Sequence, residues 1–314
     1  MTSFLARRSA TMIITLLLVS VMIFLIFRVI PGDPALIILG TEADEAQIHA
    51  LQEQMGTNQP LWQQFGGWFG GLWRGDLGQS LRFSMPVEQL ILDRLPVSIP
   101  LAVLSMALTL LVGLPLGVFL ARHRGQGIDL ALSFLTQLGM AVPSFWAGIL
   151  LMLLFAVVLH TFAVGEFVPW QQSPWGALRS LLLAAIAIAL PQIAVVVRYV
   201  RSGIIDQMDQ DYVRTAYGKG LTEGRVYYRH ALRNALIPLT TVLGMIFADA
   251  IAGTIIVEQV FALPGIGRLL ITAVSSRDFP LIQGLALYIT LIVVSTNFLI
   301  DLLYSVLDPR IRLS

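Results

Sequence analysis

Six stretches of this chain, Ser9–Ile30, Val97–Ala121, Leu130–Leu159, Leu178–Val200, Pro238–Phe261 and Leu281–Leu307, are apolar almost throughout. Roughly 20 helical residues cross the hydrocarbon core of a bilayer, so each stretch is long enough to span it. In lipid every backbone N–H and C=O must be satisfied internally, which leaves helices or closed barrels, and runs this long and continuous are helical. The pattern predicts an all-α integral membrane protein with six transmembrane helices, residues 1–314 forming one membrane domain. Composition agrees: 56% of the residues are hydrophobic and 12% charged, against about 25% charged in soluble domains, and the mean hydropathy is +0.79. The first run follows Arg7 and Arg8, exceeds the ~7–15-residue apolar region of a secretory signal and has no small-residue cleavage site behind it. It is expected to remain as the first span.

Orientation rests on arginine, because Lys219 is the only lysine. Arg7, Arg8, Arg122, Arg124, Arg198, Arg201, Arg214, Lys219, Arg225, Arg229, Arg233, Arg310 and Arg312 fall at the termini, in the loop 122–129 and in the central loop. The other face and the spans hold the remaining seven of the twenty. Positive residues mark the cytoplasmic side. Six spans then place both termini and the segment 201–237 in the cytoplasm, and the segment 31–96 outside it.

That outer segment is acidic early, at Asp33, Glu42, Asp44, Glu45 and Glu53, and then rich in Trp and Gly. A helix is expected over Asp44–Met55, ended by Gly56 and Pro60. Beyond it Leu61, Phe65, Trp68, Phe69, Leu72 and Trp73 recur at helical spacing, an amphipathic piece whose rings can lie at headgroup level. Within the spans, Gly113 and Gly117 form a small-xxx-small pair, and Gly244, Ala248 and Ala252 repeat it in the fifth span, where small residues favour close helix packing. Pro143 and Pro191 predict kinks in the third and fourth spans. Asp249 is costly in lipid and must face the bundle interior or water. With Gly253 it marks a face bordering a translocation pathway, or else it pairs with a polar residue of a neighbouring helix.

Several chemistries lack their residues. No cysteine is present, which removes disulfides, thiolate catalysis and cysteine-held metals, and no two of the four histidines are spaced i, i+4. Gly218-Lys219 is followed by Gly220, so no P-loop hydroxyl is available for Mg²⁺. Neither His-Glu-x-x-His nor Gly-x-Ser-x-Gly occurs. No catalytic residue, cofactor or metal site is expected in this chain, and a net charge of +1 gives no reason to expect nucleic acid.

Between the fourth and fifth spans lies a polar, cationic island, Asp211-Tyr-Val-Arg-Thr-Ala-Tyr-Gly-Lys-Gly-Leu221, continuing to Arg229-His230-Ala231-Leu232-Arg233-Asn234 and Pro238. It predicts a short helix up to Tyr217, a break at Gly218 and Gly220, and a second helix opening at Thr222 and stopping before Pro238. The island resembles the EAA loop of binding-protein-dependent ABC importer permeases, with Arg214-Thr215-Ala216 at the EAA position, Gly220 as its glycine and Pro238 as its closing proline. Similarity to the peptide, nickel and glutathione branch continues through Pro31-Gly32-Asp33-Pro34, Gly75-Asp76-Leu77-Gly78, Val257-Glu258-Gln259-Val260-Phe261, Pro264-Gly265-Ile266-Gly267 and Asp308-Pro309-Arg310-Ile311-Arg312. Tyr217-Gly218 stands where that branch commonly has Arg-Ala, and Arg214 replaces the glutamate that names the motif.

The resemblance implies a type I ABC importer permease in the bacterial cytoplasmic membrane, of the first-permease type. It implies a coupling helix that sits in a cleft of an ATPase subunit through Tyr212, Arg214, Thr215, Ala216, Lys219, Gly220, Leu221 and Glu223. The implied partners are a second related permease, two ATPase subunits that bind ATP and Mg, membrane lipid, and an extracytoplasmic binding protein for which Trp68, Trp73 and Asp76 offer a docking surface. Its solute would be a di- or oligopeptide, glutathione, a nickel chelate or a related molecule. An ion-coupled secondary transporter is the other reading of such a span pattern, and it has no need of the central knob.

Overall fold

The computed structural model describes residues 2–29, 39, 44–55, 58–163 and 165–307. Gly56, Pro31–Pro34 and Asp308–Arg312 therefore lie outside the described residues. Among the described residues the regular structure is helical, with one isolated β-bridge between Gln79 and Pro86. In order the helices are α1 (Thr2–Val29), α2 (Glu45–Met55), α3 (Leu61–Trp73), α4 (Val87–Leu92), α5 (Leu95–Arg122), α6 (Gly127–Ala141) and α7, which joins Ser144–Met152 to a π-helical turn, Leu153–Val158. They continue with α8 (Pro174–Met208), α9 (Asp211–Gly218), a compound helix α10, then α11 (Ile266–Ser275) and α12 (Phe279–Leu307). The compound helix starts at Glu223–Arg225, widens into a π-helical turn at Val226–Ala231 and runs on as Leu232–Val260.

Among the described residues five helices are long and apolar enough to cross a membrane, and α6 with α7 makes a sixth span if that bent pair is one crossing. The bend is 101°. Val142 and Pro143 are both extended there, as steric conflict between a proline ring and the preceding residue requires. The expected kink is thus a complete break. At Pro191 the helix instead continues unbroken within α8, and α10 also runs past position 238, where a stop was expected. Neighbouring helices, which satisfy freed backbone groups, make such prolines tolerable in a membrane bundle.

Helix α8 is the axis of the bundle, buried along its length from Ala177 to Ile204. Its first half packs Leu181, Ala184 and Ile188 against Leu101, Val257 and Phe261; its second half packs Val196, Val200 and Ile204 against Val118, Ala231 and Ala235. Glycine makes the α5–α8 contact possible. A Cβ on Gly113 would sit 2.8 Å from Val196, and one on Gly117 2.7 Å from Val200, closer than carbon atoms approach. On α10, Gly244 lies against Ile300 and Asn297 of α12, but Ala252 is exposed, so the small residues of that helix do not form one packed face.

The bundle has two polar ends. At one, a buried Asp129 accepts two hydrogen bonds from the Arg201 guanidinium, at 2.7 and 2.8 Å, and others from Gly125 N–H and the Ser133 hydroxyl. At the other, Glu258 is wholly buried and accepts from the Ser98 hydroxyl and from Gly267 N–H at 2.7 Å, while Ile266 N–H donates to Ser98. Asp278, also buried, accepts from the Ser80 hydroxyl and from the N–H groups of Arg82 and Leu281, which ties the segment after α3 to the start of α12. Phe27 meets Phe279 at this second end, so α1 runs towards it and α12 away from it.

Candidate coupling surface and the residues behind it

Helix α9 is a short amphipathic helix of about two turns held off the first polar end. Val213 and Ala216, three apart and therefore on one face, are 1% and 5% exposed and pack on Val226, with Met208 and Leu221 around them. Tyr212, Arg214, Thr215, Tyr217, Gly218 and Lys219 face outwards. Asp211 in the first turn suits the positive end of the helix dipole, and the Thr215 hydroxyl bonds back to the Asp211 carbonyl at 3.0 Å. Tyr212 donates its phenol to Gln207 Oε1 at 2.9 Å, fastening α9 to the end of α8.

Gly220 ends the helix. Its φ is +76°, Gly220 N–H donates to the Tyr217 carbonyl at 2.9 Å, and Leu221 N–H reaches back to Ala216 at 3.3 Å. This is a Schellman closure, completed by the Leu221 side chain on the Ala216 face. Gly218 is helical, so the break expected at both glycines falls on Gly220 alone. Thr222 takes the extended conformation of a helix cap, but its hydroxyl accepts no capping hydrogen bond. Glu223 pairs instead with Arg122 across 3.1 Å, both partly exposed, a contact worth at most about 1 kcal/mol that nonetheless joins the knob to the loop after α5. The Tyr217 phenol is held above the usual tyrosine range by desolvation first and the Glu223 carboxylate second, with Arg122 acting in the opposite sense.

The knob is wired into the bundle through the π-helical turn. Val226, Tyr227 and Ala231 are buried there, the last two against the α5–α8 core, and a methyl group on Gly203 of α8 would come within 3.1 Å of the Ala235 side chain. α9 is thereby packed directly on the start of α10. Arg201 on α8 grips Asp129 at the start of α6, and Gly125 N–H of the loop between α5 and α6 donates to the same carboxylate.

The other expected site residues lie elsewhere. Asp249 is exposed and makes no hydrogen bond or ion pair among the described residues; at 1.5 Å per residue it sits about 27 Å along α10 from Ala231. Gly253 faces inwards, where an added methyl group would lie 3.7 Å from Ile188 and from the Ser144 hydroxyl beside the α6–α7 break. Trp68 packs on Phe24 of α1, with ring centroids 5.7 Å apart. Trp73 is 78% exposed, and Asp76 is exposed with its carboxylate accepting from Gly78 N–H at 2.8 Å. No sequence pattern marks the chemistry of the buried acids Asp129, Glu258 and Asp278. Of the three, Glu258 alone falls within a stretch that carries the family resemblance.

Comparison with known proteins gives the family. Residues 113–313 match the family described as binding-protein-dependent transport system inner membrane component, and residues 1–102 match its N-terminal companion. A putative peptide transport system permease protein of Brucella abortus (strain 2308) is 44% identical over 312 residues, 99% of each chain. The oligopeptide transport system permease protein AppB of Bacillus subtilis (strain 168) is 35% identical over 99% of this chain and 100% of its own, and the dipeptide transport system permease protein DppB of Escherichia coli (strain K12) is 34% identical over 99% of each. Among solved structures, the inward-facing MetNI methionine ABC transporter superposes with a TM-score of 0.55 at 14% identity, covering 70% of this chain and 97% of that one, a likeness of fold. Matched along nearly its whole length, the chain belongs to the inner membrane components of binding-protein-dependent transport systems: it is a multi-pass permease component of an ABC importer in the bacterial inner membrane.

Proposed function

We propose that this chain is one of two related permease subunits that together form the translocation pathway of a peptide importer, with α9 as the helix that seats in a partner ATPase. The observation that carries the reading is the knob itself: a rigid helix with six outward-facing residues, closed by a positive-φ glycine and fixed through Val226 to the transmembrane helix α10. A rigid lever of this kind converts movement of a soluble partner into movement of a span. The basic residues around α9 support a cytoplasmic location for it, and for both termini with it. ATP and Mg would be held by two ATPase subunits, since this chain lacks a P-loop. The names of the AppB and DppB relatives support di- or oligopeptides as the solute class, delivered by an extracytoplasmic binding protein.

Gly220→Val tests the lever. Open space surrounds this position, so the substitution acts through the backbone: a β-branched residue at φ +76° is strained by about 1–3 kcal/mol. The variant is expected to insert and assemble but to lose most solute-stimulated ATPase activity and uptake. Gly218→Ala, at a helical position with equal room, serves as the control and should keep both. Normal uptake by Gly220→Val would overturn the assignment.

A further inference from the structure

At the end of the bundle that holds Glu258, a cavity of about 140 Å³ opens between the start of α5 and the start of α11. Arg94 and Arg268 both line it, together with Thr272 one turn beyond Arg268, and Phe83, Pro264 and Gly265 supply walls. Among its described lining residues none is acidic. Arg94 Nε–H is shut off from solvent without a hydrogen-bond partner among the described residues, an unmet buried donor of the kind that native structures rarely leave. Arg268 commits one nitrogen to the Ala262 carbonyl at 2.8 Å and keeps its others free for a ligand. Behind Gly265 stands the Glu258 carboxylate, turned away and engaged by Ser98 and Gly267, so two guanidinium groups face the cavity against one occupied acid behind it.

We infer that this cavity is a carboxylate-binding site, and that its occupant is an acidic side chain of the extracytoplasmic binding protein, docked at the mouth of the permease. This rests on the importer reading above. Size favours a side chain: about 140 Å³ admits a carboxylate and its methylenes but is tight for an entire peptide. Charge agrees, since the exposed Arg82 adjoins Phe83 at the rim and arginine forks match carboxylates bidentately. The position also gives docking a consequence. The first turn of α11 is pinned to Glu258 of α10 through Gly267 N–H, and α10 is the helix that carries α9 at its far end. An acid drawn between Arg94 and Arg268 therefore pulls on the same helix that the ATPase moves.

The assembled complex in lipid nanodiscs, titrated with solute-loaded binding protein, tests this. The readout is the binding-protein concentration that half-maximally stimulates ATP hydrolysis. Arg94→Gln and Arg268→Gln keep length and polarity while removing charge. Each is expected to raise that concentration by roughly tenfold, the weight of one charge-assisted hydrogen bond, with basal hydrolysis and the saturated rate unchanged. Added salt should weaken docking of the parent complex and affect the double variant less. An unchanged half-saturation in the double variant overturns the site, as does a defect that disappears when the solute is a C-terminally amidated peptide, because the carboxylate would then be the solute's. Absence of stimulation in the parent complex by any binding protein would count against the importer reading itself, and is thereby told apart from failure of the cavity alone.

Discussion

Glu258 has no exposed surface, and its hydrogen bonds come from a serine hydroxyl and from backbone N–H groups at the start of α11. A carboxylate at a helix N-terminus is favoured by unsatisfied N–H groups and the helix dipole, which is how this acid is accommodated without a cationic side chain. The arrangement explains two glycines nearby. A methyl group on Gly265 would collide with the Glu258 carboxyl, and one on Gly267 with the Ile255 backbone. Gly265→Ala is thus expected to lower the stability of the purified complex by about 1–3 kcal/mol through overpacking, visible as a lower thermal aggregation midpoint. An unchanged midpoint would show that Glu258 can move aside. Nothing in the sequence foretold this. Val257–Phe261 and Pro264–Gly267 could be matched to a family pattern, but the acid and the glycine it excludes are brought together by a turn whose geometry local spacing does not encode. Asp129 and Arg201, 72 positions apart, are hidden from sequence reasoning for the same reason.

Elements were more legible than their contacts. Long apolar runs have one structural solution in lipid, and the glycine that closes α9 is required by the left-handed conformation, so the spans and the knob follow from residue chemistry alone. Proline effects did not follow. Pro143 splits its span at 101° while α8 passes through Pro191, so the proline alone does not decide between a break and a continuous helix. The π-helical turn at Val226–Ala231 carried no sequence signal either. Of the two small-residue patterns, Gly113 and Gly117 both meet a partner helix within the chain, whereas in the second Gly244 does so and Ala252 is exposed. Gly117→Leu should therefore push α5 from α8 at the Val200 contact. Its expected outcome is loss of membrane-assembled complex, measured by co-purification of the partner subunits, with the inserted chain itself retained. Full assembly with Gly117→Leu would mean that α5 and α8 can separate without consequence.

On the scale of the whole molecule, the charge of Asp249 has no partner among the described residues. Asp249 is exposed on a span, and a carboxylate facing lipid near mid-membrane costs roughly 2.5–3.5 kcal/mol on insertion scales. No described residue of this chain neutralises it, which points to water or another subunit as the compensating surface. Two arrangements supply one. If Asp249 borders a water-filled pathway between the paired permeases, its charge offers a site to the ammonium group of a peptide. If it lies in the permease–permease contact, it pairs with a donor on the partner. Asp249→Asn separates them, because it keeps shape and hydrogen bonding and removes only the charge. A pathway role predicts an intact complex, near-normal basal ATPase activity and uptake of cationic peptides reduced several-fold relative to neutral or acidic ones. A pairing role predicts loss of assembly, since removing one charge of a buried pair strands the other at a cost of about 3–5 kcal/mol. Unaltered assembly with unaltered uptake of every peptide would sink both, and would place Asp249 where lipid headgroups or a local thinning of the bilayer reach it.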